Sequence, residues 1–315
     1  MVTLYNDDCY KVLTKLETQS IDLLVTSPPY YNAREYSHWE TVEDYMGDMR
    51  RIFAEVFRIL KNHHYIVVNV GDIICQVGQG SRTMQKLPLG AMWITMLMNL
   101  GFTYEDDYIW DKGEPQSKRH LGNPPYPYYQ KPVNCYEHIL ILSKNVLDRT
   151  RLRCPVCGSD NVASDGYHSI GVYGFECKNP NCPQKSAGGR GKRFSARSIL
   201  MQSSQRPENE IDSSFIHRFR RDIVKITPVI KINCNGENII SHSAPFPNDI
   251  PEMAIRYFSC VGDTVVDCFL GSGTTGVVAM GTDRNFIGIE LNRDYFNIAE
   301  QRINAAQSER DKKLW

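Results

Sequence analysis

Three groups of residues in this sequence have the types and spacing to do chemistry. The first is Ser27-Pro28-Pro29-Tyr30, directly after the apolar run Ile21 to Val25. A proline pair removes two N–H donors and fixes an extended backbone whose carbonyls cannot rotate away. Together with the Ser27 hydroxyl, such carbonyls can grip an amino group, and the Tyr30 ring offers a face on which a base can stack. The blander reading is a strand-ending turn with an incidental aromatic.

The second group is Asp267-Cys268-Phe269-Leu270-Gly271-Ser272-Gly273-Thr274-Thr275-Gly276, at a strand-to-helix junction. Glycines there let backbone approach a ligand, and the helix N-terminus presents free N–H groups. Glu290, closing the next apolar run, is placed to accept hydrogen bonds from ribose hydroxyls. A nucleoside-containing cofactor follows. Gly271, Gly273 and Gly276 also satisfy G-x-G-x-x-G, so a nicotinamide-dependent oxidoreductase is the rival, beside a purely structural turn. Two details favour S-adenosylmethionine over NAD. Asp267 sits where a carboxylate can meet the cofactor's ammonium group, and too little chain follows residue 267 for a complete dinucleotide fold.

The third group is Cys154-x2-Cys157 and Cys177-x4-Cys182, two knuckles separated by nineteen residues. Four thiolates suit tetrahedral zinc, and the spacing is that of a zinc ribbon. With four protein ligands the metal has no open position, so its role is structural. A basic run follows, including Lys185, Arg190, Arg193, Arg197, Arg206, Arg218, Arg220 and Arg221. Such a run is either a solvated face or a phosphate-contacting surface.

The elements that must position these groups alternate. Helical spacing runs over 45–60, 88–100, 250–258 and 295–306. Apolar strands fall at 21–25, 64–70, 103–110, 136–142, 264–269 and 286–290. Strands apolar on both faces, separated by helices, indicate a mostly parallel sheet covered on both sides. From about 147 to 240 the rhythm breaks into a Gly-, Ser-, Cys- and Arg-rich stretch, read as an insertion.

The chain has 315 residues, with 36 basic and 36 acidic side chains and no net charge. No global field therefore draws it to nucleic acid, and any such surface must be local. The N-terminal residues do not read as a signal peptide, and no apolar run approaches the roughly 18 residues of a membrane span. Ten cysteines without such signals point to a reducing compartment. The expectation is a cytoplasmic, nucleoid-associated protein.

In this order the motifs resemble the circularly permuted beta class of amino-methylating DNA methyltransferases. TSPPY comes first, then the insertion, then DCFLGSGTT. Shorter matches support it: 6–9, 68–72, 109–112, 136–140 and 242–247. Cys268 departs from it, standing where the family often has proline. The resemblance implies a Rossmann-like seven-stranded sheet with one antiparallel strand and an inserted zinc-binding recognition domain. It divides the chain into 1–144, 145–240 and 241–315.

The same resemblance assigns roles. Asp8 and Cys9 would line the adenine pocket, and Phe246 and Pro247 the methionine end, with His242 nearby. Asp267, Phe269, Gly271, Gly273 and Thr274 would form the cofactor loop, with Glu290 on the ribose. Ser27, Pro28, Pro29 and Tyr30 would be catalytic on a flipped base. Ser27 in place of Asp leans towards cytosine N4 over adenine N6. Double-stranded DNA is the implied substrate, and a homodimer and a cognate restriction endonuclease are admitted as partners. The zinc module and basic run then read as DNA contacts; the loop of Lys118, Arg119, His120, Tyr126, Tyr128 and Tyr129 is a secondary candidate, since tyrosines more often pack than touch a ligand. The remaining alternative is a non-catalytic zinc-ribbon protein that binds nucleic acid.

Overall fold

The computed structural model describes residues 1–32, 39–76, 84–113, 126–128, 132, 134–169, 171–184, 189–229 and 247–313. The chain opens with β1 (Val2–Tyr5) and the short helix α1 (Cys9–Leu13), whose N-cap Asp8 accepts a hydrogen bond from the Lys11 N–H. β2 (Ile21–Thr26) is buried along its whole length and stops at the proline pair. α2 (Val42–Ile59) begins at a Thr41/Asp44 capping box and buries one stripe, Tyr45, Met49, Ile52, Phe53, Val56 and Ile59. β3 (Leu60–Val70) follows without a loop. A β4 (Ile73–Gln76) and β5 (Met84–Leu87) pair, α3 (Leu89–Asn99), β6 (Phe102–Asp111) and β7 (Tyr136–Lys144) complete this half.

The middle of the chain forms β8 (Val162–Ser169), β9 (Val172–Cys177), β10 (Arg193–Ser195), α4 (Ala196–Ser203), α5 (Ser213–Arg218) and β11 (Ile223–Lys225). The last part alternates again: α6 (Asp249–Phe258), β12 (Thr264–Asp267), α7 (Thr274–Gly281), β13 (Asn285–Ile289) and α8 (Arg293–Lys313).

The main sheet has the order β1-β13-β12-β2-β3-β7-β6-β11. β7 runs antiparallel to both neighbours, and every other pair is parallel. The expected seven strands are therefore present with their one antiparallel member, and β11 adds an eighth. Val224 of β11 pairs with Trp110, and the neighbouring Phe219 and Ile226 are buried in the same core. This end of the Arg-rich stretch is thus continuous with the main sheet. The three-stranded sheet β10-β9-β8 instead closes over a small core of its own, Val162, Phe175, Phe194 and three cysteines.

Each face of the main sheet carries helices. α2 and α3 cover one side, where the Trp93 indole donates to the Tyr45 hydroxyl at 3.0 Å. α6, α7 and α8 cover the other. Strand ends are tied by buried polar groups. Asp22 at the start of β2 accepts from Lys61 of β3 at 2.6 Å and from the Thr264 N–H of β12 at 3.0 Å. Burial alone would raise the Asp22 pKa, but hydrogen bonds from His64, Lys61 and Thr264 outweigh it and hold the carboxyl at about 2. Among the described residues no helix is long and apolar enough to cross a membrane.

The pairing that matters for function is β12 with β2, Val265 opposite Leu23 and Val266 opposite Leu24. From β2 the chain proceeds to β3 on one side, and from β12 to β13 on the other. Their C-terminal ends therefore flank the topological switch point, where open α/β sheets bind ligands.

Candidate active site

The loop after β12 is braced from behind. Asp267 is fully buried, and its carboxylate accepts from Thr26 Oγ1 (2.6 Å), Thr275 Oγ1 (2.6 Å) and the Phe269 N–H (3.1 Å). It welds the end of β2 to the first turn of α7. Its Oδ1 takes two of these bonds and its Oδ2 one, so the carboxylate is held against β2 and α7. Gly273 is also a packing residue. It has φ 84°, and a Cβ there would lie 2.9 Å from Ala299 Cβ on α8. Arg302 of α8 holds the loop from the same side, donating to the Ser272 carbonyl and hydroxyl.

Glu290 closes the loop from the front. Its Oε2 accepts from the Gly271 N–H and its Oε1 from the Asn292 N–H, each at 2.8 Å. Each oxygen keeps a further lone pair for a ligand hydroxyl. Burial raises the Glu290 pKa, with the two backbone N–H groups opposing.

At the end of β2, the Ser27 hydroxyl points to Asn69 Oδ1 at 3.4 Å, and Asn69 Nδ2 donates to the His138 carbonyl at 3.0 Å. The half-buried Tyr30 donates its hydroxyl to Glu137 Oε2 at 2.9 Å. Glu137 Oε1 accepts from Lys112 Nζ. Burial, and then the Glu137 charge, push the Tyr30 phenol well above its ordinary pKa, so it stays a neutral donor.

These loops share a cavity of about 870 Å³. Its walls bring together Asp8, Cys9, Phe269, Gly271, Thr274 and Glu290 with Ser27, Pro28, Pro29 and Tyr30. Asp267, Gly273 and Pro247 do not line it, and Phe246 and His242 lie outside the described residues. Several wall residues carry no role in the sequence reading: Asn69, Lys112 and Glu137, and from α2 Asp48 and Arg51. The first three lie inside the short matches at 68–72, 109–112 and 136–140, at strand ends on the ligand side of the sheet. That position is the signal by which sequence could have found them.

Two thiols sit at the cavity. Burial, and then the neighbouring Asp8 charge, push Cys9 up to about 12, and burial also raises Cys268 well above the ordinary thiol value. Both stay protonated, so neither is poised as a nucleophile.

The four cysteines of the small sheet converge as expected. The Sγ atoms of Cys154, Cys157, Cys177 and Cys182 all lie within 4.8 Å of one another, with Cys157 and Cys177 at 3.7 Å. Zinc at about 2.3 Å from each thiolate requires sulfurs roughly 3.8 Å apart, so the donor set fits a tetrahedral ion. Along the basic run, Arg206, Arg220 and Arg221 are exposed, while Arg193 pairs with Asp165 and Arg218 with Asp249. Tyr126 and Tyr128 are also exposed. Lys118, Arg119, His120, Tyr129 and Lys185 lie outside the described residues.

A family model for N6/N4 methyltransferases, described as DNA methylase, matches residues 21–301. Among similar proteins, the type II beta methyltransferase M.BslI of Bacillus sp. (strain NEB-606) is 34% identical over 95% of the chain. The chain spans only 27% of that relative's length. The type II methyltransferase M.BglI of Bacillus subtilis is 24% identical, with 98% of the chain matching 87% of the relative. Two solved structures share the fold. One is a candidate DNA modification methylase of Thermus thermophilus, TTHA0409, solved with S-adenosyl-L-methionine. It has TM-score 0.63 and 24% identity, with 97% of this chain and 94% of that one covered. The other is the cytosine-N4-specific PvuII DNA methyltransferase, with TM-score 0.56 and 18% identity over 98% and 92% of the two chains.

Proposed function

The chain belongs to the N6/N4 DNA methylase family, and on that premise we propose that it methylates cytosine N4 in double-stranded DNA from S-adenosylmethionine. The observation that carries this reading is that one cavity at the switch point is lined both by the Ser27–Tyr30 turn and by Glu290 with the Gly271 loop. S-adenosylmethionine supplies an electrophilic methyl on sulfonium sulfur. Asp8 and Cys9 would border its adenine end, Glu290 would accept from its ribose hydroxyls, and the loop backbone at Phe269 and Gly271 would take the remainder.

An exocyclic amino group is a weak nucleophile because its lone pair is delocalised into the ring. The Ser27 hydroxyl oxygen and the Pro28 carbonyl accept its two N–H bonds and favour a pyramidal nitrogen with a localised pair. Tyr30 stacks on the flipped base and fixes its plane. Transfer would then be one direct displacement governed by positioning and electrostatics, without a covalent enzyme intermediate: the N–CH3 bond forms as the S–CH3 bond breaks, S-adenosylhomocysteine leaves, and the amino nitrogen gives up one proton to solvent. The protonated state of Cys9 and Cys268 agrees with that. Ser27, where Asp is the other family choice, supports cytosine over adenine.

Cys154, Cys157, Cys177 and Cys182 hold a structural zinc ion in this reading. The stretch 145–240 is the target-recognition region, with exposed arginines on DNA phosphates. The setting is the cytoplasm, on nucleoid DNA, as part of restriction-modification. A homodimer and a cognate endonuclease are the further partners this reading admits.

Calorimetric titration with S-adenosylhomocysteine tests the cofactor assignment. Glu290→Ala weakens binding roughly 10- to 100-fold through the loss of charged hydrogen bonds, whereas NAD binds neither protein. The ribose contacts need the carboxylate ionised, and its pKa is raised. Affinity in the wild type therefore falls as pH drops through that raised value, and this acid-side loss is missing in Glu290→Ala. Equal affinity in the two proteins would remove Glu290 from the ribose site, and competition by NAD would overturn the choice of cofactor.

A further inference from the structure

The ring that holds the base needs an anchor of its own. Pro28 and Pro29 offer no N–H, so the backbone leading into Tyr30 has little to hold it except ring stiffness. The Tyr30 hydroxyl instead finds one strong acceptor, Glu137 Oε2 at 2.9 Å, against 3.5 Å to the Asn69 carbonyl.

Glu137 stands on β7 opposite Trp110 of β6, and Lys112 lies two residues beyond Trp110. Lys112 donates to the second Glu137 oxygen and sits 4.9 Å from the Trp110 ring centroid. The two side chains are only 31% and 14% exposed for Lys112 and Glu137 respectively. Two charges drawn this far from water carry a desolvation cost that their mutual attraction often fails to offset, so the pair is weak as a stability device. Space for it is made by Gly71, where a Cβ would come within 2.8 Å of Glu137 Cγ. All three polar side chains face the same cavity.

We propose that Glu137 and Lys112 are positioning residues for methyl transfer: Glu137 fixes the Tyr30 ring by its hydroxyl, and Lys112 fixes Glu137. The inference rests on the functional reading above. The chain of contacts runs across β6, β7 and the end of β2, so the stacking face is set by the rigid sheet and not by the loop that carries it. Its action is on the geometry of the bound base, which places the effect on kcat more than on DNA KM.

The experiment is a double-mutant cycle on the full chain, with tritiated S-adenosylmethionine and unmethylated phage DNA. Tyr30→Phe keeps the ring and removes the hydroxyl; Glu137→Ala removes the acceptor. Each lowers kcat roughly 10- to 100-fold, the scale of an ångström-level misplacement, with DNA KM nearly unchanged. Glu137→Gln, which can still accept from Tyr30, recovers part of the loss. Tyr30→Phe combined with Glu137→Ala is no slower than the worse single variant, because both break the same contact. Lys112→Met shows a smaller loss that vanishes in the Tyr30→Phe background. Multiplying effects, or wild-type kcat in Glu137→Ala, overturn the inference while leaving the functional reading intact. If Glu137→Ala does not fold, the Lys112→Met and Tyr30→Phe cycle decides by the same criterion. A wild type that transfers no methyl overturns the functional reading, and the inference with it.

Discussion

Ser27→Ala lowers methyl transfer roughly 100- to 1,000-fold, the scale of removing a group that acts mainly in the transition state, while S-adenosylhomocysteine affinity stays within about twofold. The separation follows from the cavity. Ser27 lies at the end of β2, and the groups assigned to the cofactor come from the β12 loop, the N-cap of α1 and the end of β13. The Ser27 hydroxyl makes a long 3.4 Å contact to Asn69 Oδ1 and a hydrogen bond to Tyr30 inside the same cavity, so its removal leaves the sheet intact and the loss is catalytic. Tyr30→Ala falls at least as far, because it removes the stacking face. Single-turnover rates with saturating cofactor are the measurement. A Ser27→Ala rate within about threefold of wild type would remove the hydroxyl from the chemistry.

Zinc removal has the second large effect, on DNA binding and not on the cofactor. Among the described residues the hydrophobic cluster at the small sheet has six buried members, three of them cysteines. A core that size does not hold together without a staple, and structural zinc contributes its folding energy outright. Cys177→Ser, or exhaustive chelation, therefore releases one equivalent of zinc and unfolds residues around 152–199. DNA affinity drops roughly 100-fold at physiological salt, as expected for losing a few phosphate contacts. S-adenosylhomocysteine binding persists, because the main sheet has its own two cores. Metal analysis, DNA binding and cofactor calorimetry on one preparation check all three. Unchanged DNA affinity in a zinc-free protein would detach the module from target binding.

The parts of this protein that were legible in the sequence are those whose signals are local. β2 announces itself by an unbroken apolar run ended by prolines, and the β12 loop by its glycines. The paired cysteine knuckles fix a tetrahedral cluster by spacing alone. β1 was not legible because Val2–Tyr5 is four residues with no alternation to read. β11 was hidden for the same reason: three residues whose only buried member is Val224. Asp267 shows a subtler limit. A carboxylate at a strand end can serve a ligand, a neighbouring strand or both, and the bond Asp267 accepts from Thr26 spans 241 positions of sequence. Glu137 and Lys112 likewise acquire meaning only through the β7–β6 register and the approach of Tyr30 from β2. Long-range pairing decides such roles, and no short window of sequence contains it.

The most direct test is mass spectrometry of nucleosides from the DNA of cells expressing this protein, beside cells expressing the Ser27→Ala, Tyr30→Ala variant. The expected result is N4-methylcytosine with the wild type and none with the variant. N6-methyladenine in its place would contradict the choice of base and keep the mechanism; no modified base in the wild-type DNA would contradict methyl transfer to DNA itself.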